Sequence, residues 1–483
     1  MWAGPLEKIS ECKYRIPKSY KNGMLVDGIF YADEKLLIDI KKDKALEQVA
    51  NVACLPGIVK YSLAMPDIHW GYGFCIGGVA ATDPESGGVI SPGGVGYDIN
   101  CGVRLLSVDL TLNDIKDNLS KVADMLFNNV PAGVGSKGEV NLSYKDEKNV
   151  LIKGAKWAVS QGFGINEDLV YCEESGAIEG ADPEVISARA YERGKLQVGT
   201  LGSGNHFLEV QVIDEIFDND VAKMLNLNKN SITIMIHTGS RGFGYQVCDD
   251  SLRVMNRSIN RYGINIPDRQ LACAPVNTPE AKEYIGAMRA AANYAWANRQ
   301  VLTHLVRKNF ARVFGCSWES LGMKLIYDVA HNIAKFEEHV IDGHKKTLCV
   351  HRKGATRSFG PGNPDLPKAY QKIGQPVIIP GDMGRASYLL LGTRKAEQES
   401  FASTCHGAGR LKSRHEALRT LDYSDLIQML KAKGIEVRAR GKKTLVEEAP
   451  SVYKNVDDVV DVVEKAGLSR KVCKMRPLCV IKG

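Results

Sequence analysis

Side chains of the kinds that bind metal ions recur in four glycine-containing stretches of the sequence. The stretches are SPGGVGYDINCG at 91–102, GSGNHFLEV at 202–210, IHTGSRGFG at 236–244 and YDVAHN at 327–332. They offer one carboxylate, one thiolate and three imidazoles, namely Asp98, Cys101, His206, His237 and His331. Asp98 and Cys101 are three residues apart, close enough in a turn to bind one ion. Five donors are too many for one tetrahedral site with an open position, so the set favours two ions that share the thiolate.

Each of these donors also has a simpler interpretation when it is taken alone. A histidine at the end of a strand is more often a hydrogen-bonded structural residue than a ligand. A lone cysteine is more often a small, buried apolar residue. The donors are spread along the chain without a fixed spacing that could be tested. If they do bind a metal, thiolate and imidazole ligands by themselves indicate zinc.

Two further stretches combine glycine with small residues, as loops that surround phosphate do. They are PGDMGRASY at 380–388 and TCHGAGR at 404–410. His406 lies in the second stretch, and a neutral imidazole can attack an α-phosphate to give a phosphoramidate. The alternative is a plain surface loop. Two nearby runs, HRKGATR at 351–357 and RLKSR at 410–414, each contain three cations. Most such runs are solvated faces, and a minority bind nucleic acid.

The elements that position these residues are predicted from periodicity and turn chemistry. A long, alanine-rich helix is predicted over 285–314, and a shorter helix over Val456–Lys465. The predicted strands lie at 207–212, 232–236 and 324–329, and a hairpin over 339–351 is predicted to turn at Asp342-Gly343. Strands and helices do not alternate regularly, so a doubly wound parallel sheet is not indicated. We expect one large α+β domain over 1–483, with mixed sheets flanked by helices and the chemistry carried on glycine-bearing loops.

Composition sets the limits of these hypotheses. The chain has 483 residues, of which 44% are apolar and 25% charged, so a folded protein rather than a disordered one is expected. The net charge of +7 permits an anionic partner. The 47 glycines indicate many tight turns or close approaches of the backbone to a ligand. No CxxC pair, signal core or long apolar run is present, so we expect a cytoplasmic protein with reduced thiols.

Taken together, the longer motifs resemble the RtcB family of RNA ligases, which join RNA ends in tRNA splicing and RNA repair. The resemblance rests on MPDIHWGYGFCIGG at 65–78, SPGGVGYDINCGVRLL, GSGNHFLEV, HTGSRGFG, YDVAHN, HRKGATR, PGDMGRASY and CHGAGR, in that order. It runs from about Met65 to Lys482, whereas residues 1–60 carry no matched motif. It implies a distinctive α+β fold around a deep, metal-containing pocket.

The resemblance also implies a reaction. An RNA end with a 2′,3′-cyclic phosphate or 3′-phosphate is joined to an end with a 5′-hydroxyl. GTP guanylylates a histidine, GMP passes to the RNA 3′-phosphate, and the 5′-hydroxyl attacks and expels GMP. Two manganese ions would screen the converging phosphates. The implied partners are RNAs with such ends, including tRNA halves, and, for some members of the family, an activator protein called archease.

Residue by residue, the resemblance implies two metal sites. Asp98, Cys101 and His206 match one site, Cys101, His237 and His331 match the other, and His406 matches the guanylylated histidine. The residues implied to bind the guanine nucleotide are Asn205, His206, Phe207, Leu208, Glu209, His331, Asn332, Pro380, Gly381, Asp382, Met383, Ser387, His406, Gly407, Ala408, Gly409 and Lys482. From the basic runs, the candidates for RNA phosphate contacts are Arg352, Lys353, Arg357 and Arg410.

Two other classes of protein share part of this pattern. A metal-dependent phosphoesterase that opens cyclic phosphates would keep the metal ligands but would not need His406 or a guanine pocket. A non-catalytic RNA-binding protein would keep the basic runs and could lose the ligands. The sequence contains all of these features together, which favours the ligase.

Overall fold

The computed structural model describes residues 2–483, and nineteen β-strands lie in this part of the chain. They are β1 Glu7–Ser10, β2 Lys13–Ile16, β3 Asp27–Tyr31, β4 Ile58–His69, β5 Ile76–Thr82, β6 Val89–Ile90, β7 Gly102–Thr111, β8 Phe207–Ile216, β9 Ser231–Thr238, β10 Ala274–Pro275, β11 Lys324–Ala330, β12 Asn332–Ile341, β13 His344–Lys353, β14 Ala355–Arg357, β15 Pro376–Ile379, β16 Ser387–Gly392, β17 Ser403–Cys405, β18 Glu436–Ala439 and β19 Ser469–Lys482.

Sixteen α-helices lie within the same residues. They are α1 Glu34–Ile40, α2 Ala45–Val52, α3 Leu112–Ile115, α4 Leu119–Asn129, α5 Tyr144–Lys153, α6 Ala155–Ser160, α7 Asn166–Val170, α8 Ala188–Gly194, α9 Asn219–Met224, α10 Arg241–Arg261, α11 Pro279–Phe314, α12 Arg394–Ser400, α13 Arg414–Thr420, α14 Tyr423–Ala432, α15 Lys442–Glu447 and α16 Val456–Lys465.

Two large sheets form the framework. One has seven strands in the order β1-β2-β3-β4-β5-β13-β12, and the other has the order β11-β7-β9-β8-β19-β16-β15, with β18 paired to β19 as its eighth strand. Two small sheets pair β6 with β10 and β14 with β17. Among the named strands of residues 2–483, only β3–β4 and β18–β19 are parallel pairs. The mixed sheets and flanking helices confirm the predicted α+β class.

The predicted long helix is confirmed and begins earlier than expected. The prediction was 285–314, whereas α11 runs over Pro279–Phe314. Proline suits the first position of a helix because its missing N–H has no partner there, and Gly315 ends the helix in a left-handed conformation, with φ +68°. Of the six added residues at 279–284, only Ala281 and Tyr284 are buried, so the apolar signal is weaker there, although Glu, Ala and Lys favour helix. Most of α11 is buried, and it packs against α4, α5, α6 and α10.

The predicted hairpin is also confirmed. Strands β12 and β13 are antiparallel and pair Ile341 with His344, so the connection consists of Asp342 and Gly343 alone. Both residues have positive φ, +50° and +81°. Positive φ at both central positions of a two-residue turn matches the twist of the strands and explains the preference for an Asp-Gly pair. The other predicted strands lie within β8, β9 and β11, and the predicted helix Val456–Lys465 is α16.

The N-terminal region, which carried no matched motif, is part of the larger framework. Strands β1, β2 and β3 form one edge of the seven-stranded sheet, and β3 pairs with β4. Side chains of α1 and α2 share a hydrophobic cluster with β3, β4 and α16. Residues 1–60 can form part of the framework without a recognisable motif. Packing against the core requires only apolar side chains on the buried face of each strand or helix, and many different sequences meet that requirement.

None of the helices in residues 2–483 combines the length and the apolar character needed to cross a membrane.

Candidate metal and nucleotide site

Four of the five predicted metal donors lie at neighbouring strand ends of the eight-stranded sheet. Cys101 precedes β7, His206 precedes β8, His237 is next to last in β9 and His331 follows β11. Adjacent strands are antiparallel, so the start of one strand lies beside the end of its neighbour. The residues that face each other there are Gly102 with Ala330 and Thr238, and Phe207 with His237. Strand pairing therefore brings donors from distant parts of the sequence to one edge.

The thiol of Cys101 lies at the centre of the donor group. Its Sγ is 3.4 Å from His206 Nε2 and 3.3 Å from His237 Nε2. His237 Nε2 is 3.4 Å from His331 Nε2, and Asp98 Oδ2 is 2.8 Å from His206 Nε2. Two three-residue groups result, in each of which the donor atoms lie within 4.8 Å of one another. Cys101 belongs to both groups, as a bridging ligand would.

The electrostatic environment prepares most of these donors to bind a cation. Burial lowers the pKa of His237 and of His331, so both imidazoles are neutral and have a lone pair to donate. Burial opposes ionisation of Asp98, but its interactions with His206, Cys101 and Arg241 together outweigh burial and lower the Asp98 pKa to about 2. Burial and Asp98 together raise the pKa of the Cys101 thiol. A bound cation would lower the pKa of the Cys101 thiol again and favour the thiolate.

The spacing of the donors fits metal ligation. Nitrogen and sulfur ligands lie about 2.0–2.3 Å from a tetrahedral ion, which places neighbouring ligand atoms roughly 3.4 Å apart. The Cys101–His237 and His237–His331 separations of 3.3 and 3.4 Å agree with this value. The 3.4 Å between the nitrogen atoms of His237 and His331 is also too long for a strong hydrogen bond. The residues present therefore fit a metal centre.

His406 follows β17 and is held by a carboxylate that the sequence motifs had not singled out. Asp67, in β4, accepts a hydrogen bond from His406 Nδ1 at 2.5 Å. The same Asp67 Oδ2 accepts the backbone N–H groups of His406 and Gly407 at 2.9 and 3.2 Å. Burial opposes ionisation of Asp67, but its interactions with His406 hold its pKa below the ordinary value. With its proton on Nδ1, the His406 ring keeps a lone pair on Nε2, as a nucleophile must.

A glycine allows the chain to pass close to this histidine. Gly354 has φ +62°, and a Cβ there would lie 3.0 Å from His406 Cε1 and 2.3 Å from Ile76 Cγ2. Asn332, one of the predicted nucleotide residues, holds this turn by accepting the Gly354 N–H at 2.8 Å. The ring of His331 lies on the other side, with its centroid 4.9 Å from that of His406. The predicted nucleophile is thus adjacent to the predicted metal donors.

Four of the five donors, Asp98, Cys101, His237 and His331, line one pocket of about 340 Å³ together with His406. This volume is of the size that small-molecule sites have. The residues of the predicted nucleotide set in its wall are Asn205, Phe207, Glu209, His331, Asn332, Pro380, Gly381, Asp382, Met383, His406, Gly407, Ala408, Gly409 and Lys482. Four motifs that are separate in sequence, at 202–210, 327–332, 380–388 and 404–410, therefore contribute to a single cavity.

Glu209 lies in the pocket wall, and burial raises its pKa to about 8. Its carboxyl group accepts a hydrogen bond from Gln211 Nε2 at 2.7 Å, and the nearby Lys482 favours its ionised form. Lys482 is itself buried and donates to the Gly204 carbonyl at 2.7 Å, and burial lowers its pKa. The pocket thus contains a carboxyl group that is poised to change its charge near neutral pH.

Three predicted nucleotide residues do not line the pocket. Leu208 follows Phe207 in β8, so its side chain points to the opposite face of the sheet and packs in the apolar cluster there. Ser387 lies behind the wall, where its Oγ accepts from Gln211 at 3.1 Å and from the Gly381 N–H at 3.2 Å. The third, His206, is one of the metal donors. Ser387 supports the loop at 380–383 rather than facing the cavity.

Two of the four predicted RNA-phosphate residues require correction. Arg352 is 1% exposed and forms two 2.7 Å hydrogen bonds to Glu337. Arg357 is also buried, 3.1 Å from both Glu173 and Glu174. Because their charges are neutralised inside the protein, these arginines hold strands together and do not offer a free cation to RNA.

The other two basic residues, Lys353 and Arg410, are in the pocket wall. Lys353 donates to the backbone carbonyls of Tyr72 and Gly93, and burial lowers its pKa to about 8. Arg410 lies 3.1 Å from the buried carboxylate of Glu448, which also accepts the hydroxyl of Tyr453. Both cations therefore remain candidates for binding an anion in the cavity.

Sequence reasoning missed several residues of this site. Asp67 was within the motif MPDIHWGYGFCIGG but was assigned no role, although a carboxylate inside a matched motif was a usable signal. Three further residues that were assigned no role also line the pocket: Arg414, which ends the basic run at 410–414, and Glu448 and Tyr453, which lie in a segment without a distinctive pattern. Lys454 donates to the carbonyls of Pro66 and Ile68 on either side of Asp67. No sequence signal pointed to that contact, since the partners are almost four hundred residues apart.

Comparison with known proteins gives a consistent result. The sequence model of the family described as "tRNA-splicing ligase RtcB" matches residues 48–483. A protein of Archaeoglobus fulgidus is 55% identical over 480 residues, 99% of each chain, and one of Methanococcus maripaludis is 53% identical over 476 residues, also 99% of each chain. One of Thermococcus kodakarensis is 52% identical over 479 residues, again 99% of each chain. All three carry the name tRNA-splicing ligase RtcB.

Proposed function

Because the chain belongs to the RtcB family of tRNA-splicing ligases, we propose that it joins RNA 2′,3′-cyclic phosphate or 3′-phosphate ends to 5′-hydroxyl ends, with GTP as co-substrate and His406 as the carrier of GMP. The observation that carries the proposal is the position of His406. Its Nδ1 is bound by Asp67, and its ring lies against His331 of the metal donor set. A nucleophile, metal donors and a nucleotide-sized cavity then meet at one point.

The proposed reaction has four steps. Water opens a cyclic phosphate to a 3′-phosphate. His406 Nε2 then forms a bond to the α-phosphorus of GTP, and pyrophosphate leaves. An oxygen of the RNA 3′-phosphate attacks the same phosphorus, the N–P bond breaks, and the histidine is restored. Finally the 5′-hydroxyl oxygen attacks the 3′-phosphate phosphorus, and GMP leaves as a new phosphodiester forms.

The chain's own residues supply positioning and charge in this sequence. Two Mn²⁺ ions bound by the two donor groups would neutralise the converging phosphates and orient the attack. Asp67 keeps the Nδ1 proton in place while Nε2 reacts, and its charge stabilises the imidazolium that forms. Arg410 and Lys353 face the same cavity and are proposed to bind RNA phosphate there. The manganese and the two-ion count rest on the family, whereas the donor types alone favour zinc.

We further propose that the RNA substrates include tRNA halves, as the names of the relatives indicate, and that the protein acts in the cytoplasm. The test of the basic activity is incubation with α-labelled GTP and Mn²⁺, followed by a denaturing gel. Label bound to protein, and transferred to an RNA that ends in a 3′-phosphate, is the expected result. RNA joining without a labelled protein would contradict the histidine route.

Replacing Asp67 with asparagine is expected to slow guanylylation about 10–100-fold, since a hydrogen bond to a charged group contributes about 1.5–3 kcal/mol. Asparagine keeps the shape but cannot balance the positive charge that develops on the His406 ring. The measurement is the single-turnover rate of label incorporation from GTP. Metal binding should be unchanged, because Asp67 belongs to neither donor group. A wild-type rate in Asp67→Asn would show that the carboxylate is not used.

Glu209 is expected to select GTP over ATP. Guanine presents two adjacent donors, N1–H and the exocyclic amine, which an ionised carboxylate accepts together. Adenine has no such pair and would give the buried carboxylate no donor in the cavity, a penalty of a few kcal/mol and a selectivity of roughly 100-fold. Glu209→Gln should lower the GTP/ATP ratio of kcat/KM for self-nucleotidylation accordingly. Glu215→Gln, an exposed change in the same strand β8, is the control.

The pH dependence of GTP binding gives an independent check on Glu209. Its pKa is about 8 without ligand, and the guanine donors favour the ionised form, so the pKa falls in the complex. GTP affinity should therefore rise with pH toward about 8 and level off above it. This rise should be lost in Glu209→Gln. If GTP affinity rose with pH in Glu209→Gln as it does in the wild-type protein, another group would be responsible for the pH dependence.

A further inference from the structure

The proposed metal centre depends on strand ends that are far apart in sequence. Cys101, His237 and His331 come from separate strands, and a thiol and neutral imidazoles attract one another only weakly. Such donors form a site when the surrounding groups hold the strands at the required separation. The ends of β7, β9 and β11 therefore need a group that fixes their separation.

Arg299 of α11 lies directly behind two of these strand ends. Its Nη1 donates to the carbonyl oxygen of Asn100 at 2.8 Å and to that of Thr238 at 3.0 Å. Asn100 immediately precedes Cys101, and Thr238 immediately follows His237. One nitrogen atom therefore ties together the backbone beside two ligands.

The remaining N–H groups of Arg299 reach the third strand. Nε donates to Asp328 Oδ2 at 2.8 Å, and Nη2 donates to Asp328 Oδ1 at 2.8 Å and to Asn100 Oδ1 at 3.0 Å. Asp328 lies in β11, three residues before His331. Arginine has five N–H groups in a fixed plane, so all of them are used. The side chain has 0% exposure, and none of these bonds competes with water.

Asn100 connects this arrangement to the bridging ligand. It has φ +53°, a left-handed conformation that is costly for most residues. Its Nδ2 donates to the Ala292 carbonyl of α11 at 2.7 Å, and its N–H donates to the Asn332 carbonyl at 2.7 Å. The next residue, Cys101, accepts the His331 N–H on its carbonyl at 2.9 Å. The turn that carries the thiol is therefore held from the helix side and from the β11–β12 side.

We propose that Arg299 is the positioning residue of the metal centre and holds Cys101 and His237 at the separation that a shared ion requires. It acts through the backbone next to the ligands and touches no reacting atom. The inference rests on the metal centre of the proposed function. It explains why a helix with no residue in the pocket wall carries a buried arginine at this point.

A second arginine on the same helix provides a matched comparison. Arg307 is also buried and bonds both oxygens of Asp168, at 2.6 and 2.8 Å. Its remaining hydrogen bonds are to the Met323 carbonyl and its guanidinium lies over the Trp318 ring, and neither residue is beside a metal ligand. Arg307 therefore has the same kind of ion pair without the connection to the site. Lysine at either position keeps the charge but has one nitrogen and cannot bridge the planar set of acceptors.

The experiment compares Arg299→Lys with Arg307→Lys in the full chain. The metal-free proteins are titrated with Co²⁺, whose thiolate charge-transfer absorption reports coordination by Cys101, and Tm is measured without metal. Both variants should lose Tm, since each loses a buried bidentate ion pair. Only Arg299→Lys should bind Co²⁺ about 10–100-fold more weakly, the usual effect of losing a group that orients a ligand. Its thiolate absorption should also be displaced or weakened.

A second variant covers the case in which Arg299→Lys does not fold. Asn100→Gly suits the left-handed backbone and removes only the side-chain acceptor of Arg299 and the bond to α11. It should weaken Co²⁺ binding in the same direction. Wild-type Co²⁺ affinity and absorption in the folded variants would overturn the inference. Absence of thiolate absorption in the wild-type protein would instead contradict the metal centre itself, so the two failures are distinguishable.

Discussion

Replacing His406 with alanine is expected to abolish the covalent attachment of GMP to the protein. The variant has no nucleophile at this position, since the nearby His331 is a proposed metal donor whose Nε2 faces His237. Incubation with α-labelled GTP and Mn²⁺ should leave the protein band unlabelled, and RNA joining should be undetectable. In the wild-type protein the bond should be lost in mild acid and kept in base, as expected for a phosphoramidate.

The control for His406→Ala is His415→Ala. His415 is exposed and lies in the helix that follows the same motif, so its loss should leave labelling at the wild-type level. His406→Ala should retain the hydrolysis of cyclic phosphates, because that step does not require the nucleophile. Labelled protein in His406→Ala would show that GMP is carried elsewhere. Unimpaired joining without any label would favour a mechanism without a covalent intermediate.

Replacing Cys101 with alanine is expected to abolish both guanylylation and joining. Cys101 belongs to both donor groups, so its loss disrupts two metal sites at once. Removing one catalytic metal contact costs several kcal/mol of barrier, and about 4 kcal/mol corresponds to a rate roughly a thousandfold lower. Metal content, measured by elemental analysis after dialysis, should fall together with activity.

Cys473→Ala is the matched control for Cys101→Ala. Cys473 is also fully buried in the same eight-stranded sheet, but it lies in β19 among apolar side chains and outside both donor groups. Its loss should lower Tm through the cavity that it leaves, with normal metal content and labelling. If Cys101→Ala kept near wild-type rates at limiting Mn²⁺, the bridging role would be refuted.

The candidate site could be predicted from the sequence as a set of chemical types. Asp98, Cys101 and the three histidines were identified as donors from their residue type and their place beside glycines. The structure brings them within one cluster. The matched motif at 65–78 contained Asp67 and so gave a signal for it, but the pattern could not supply its role, because a carboxylate in a buried strand resembles any other until its partner is known. The partner, His406, is more than three hundred residues away.

For the basic runs, the sequence could not distinguish residues that have different surroundings in the structure. Arg352, Lys353, Arg357 and Arg410 were treated alike because all are cations near the predicted site. Tertiary packing separates them, since Arg352 and Arg357 are paired with buried glutamates away from the pocket wall, whereas Lys353 and Arg410 line the cavity. Arg410 is also paired with a buried glutamate, Glu448, but this pair lies in the wall itself. A charge in the sequence gives no information on the charges that will surround it. Only the fold determines whether a cation is available to a ligand.

The sequence by itself determined the local secondary-structure elements and the types of metal-binding and nucleophilic side chains that are present. The Asp342-Gly343 turn, the helix α11 and the strands β8, β9 and β11 follow from short-range preferences of backbone and side chain, which act between neighbours in the chain. The tertiary structure alone decided the separations within the site. Pairing of β7, β9 and β11, and the contacts of Arg299 behind them, set distances such as the 3.3 Å between Cys101 Sγ and His237 Nε2. Those distances arise from long-range burial and hydrogen bonding, and no local pattern in the sequence encodes them.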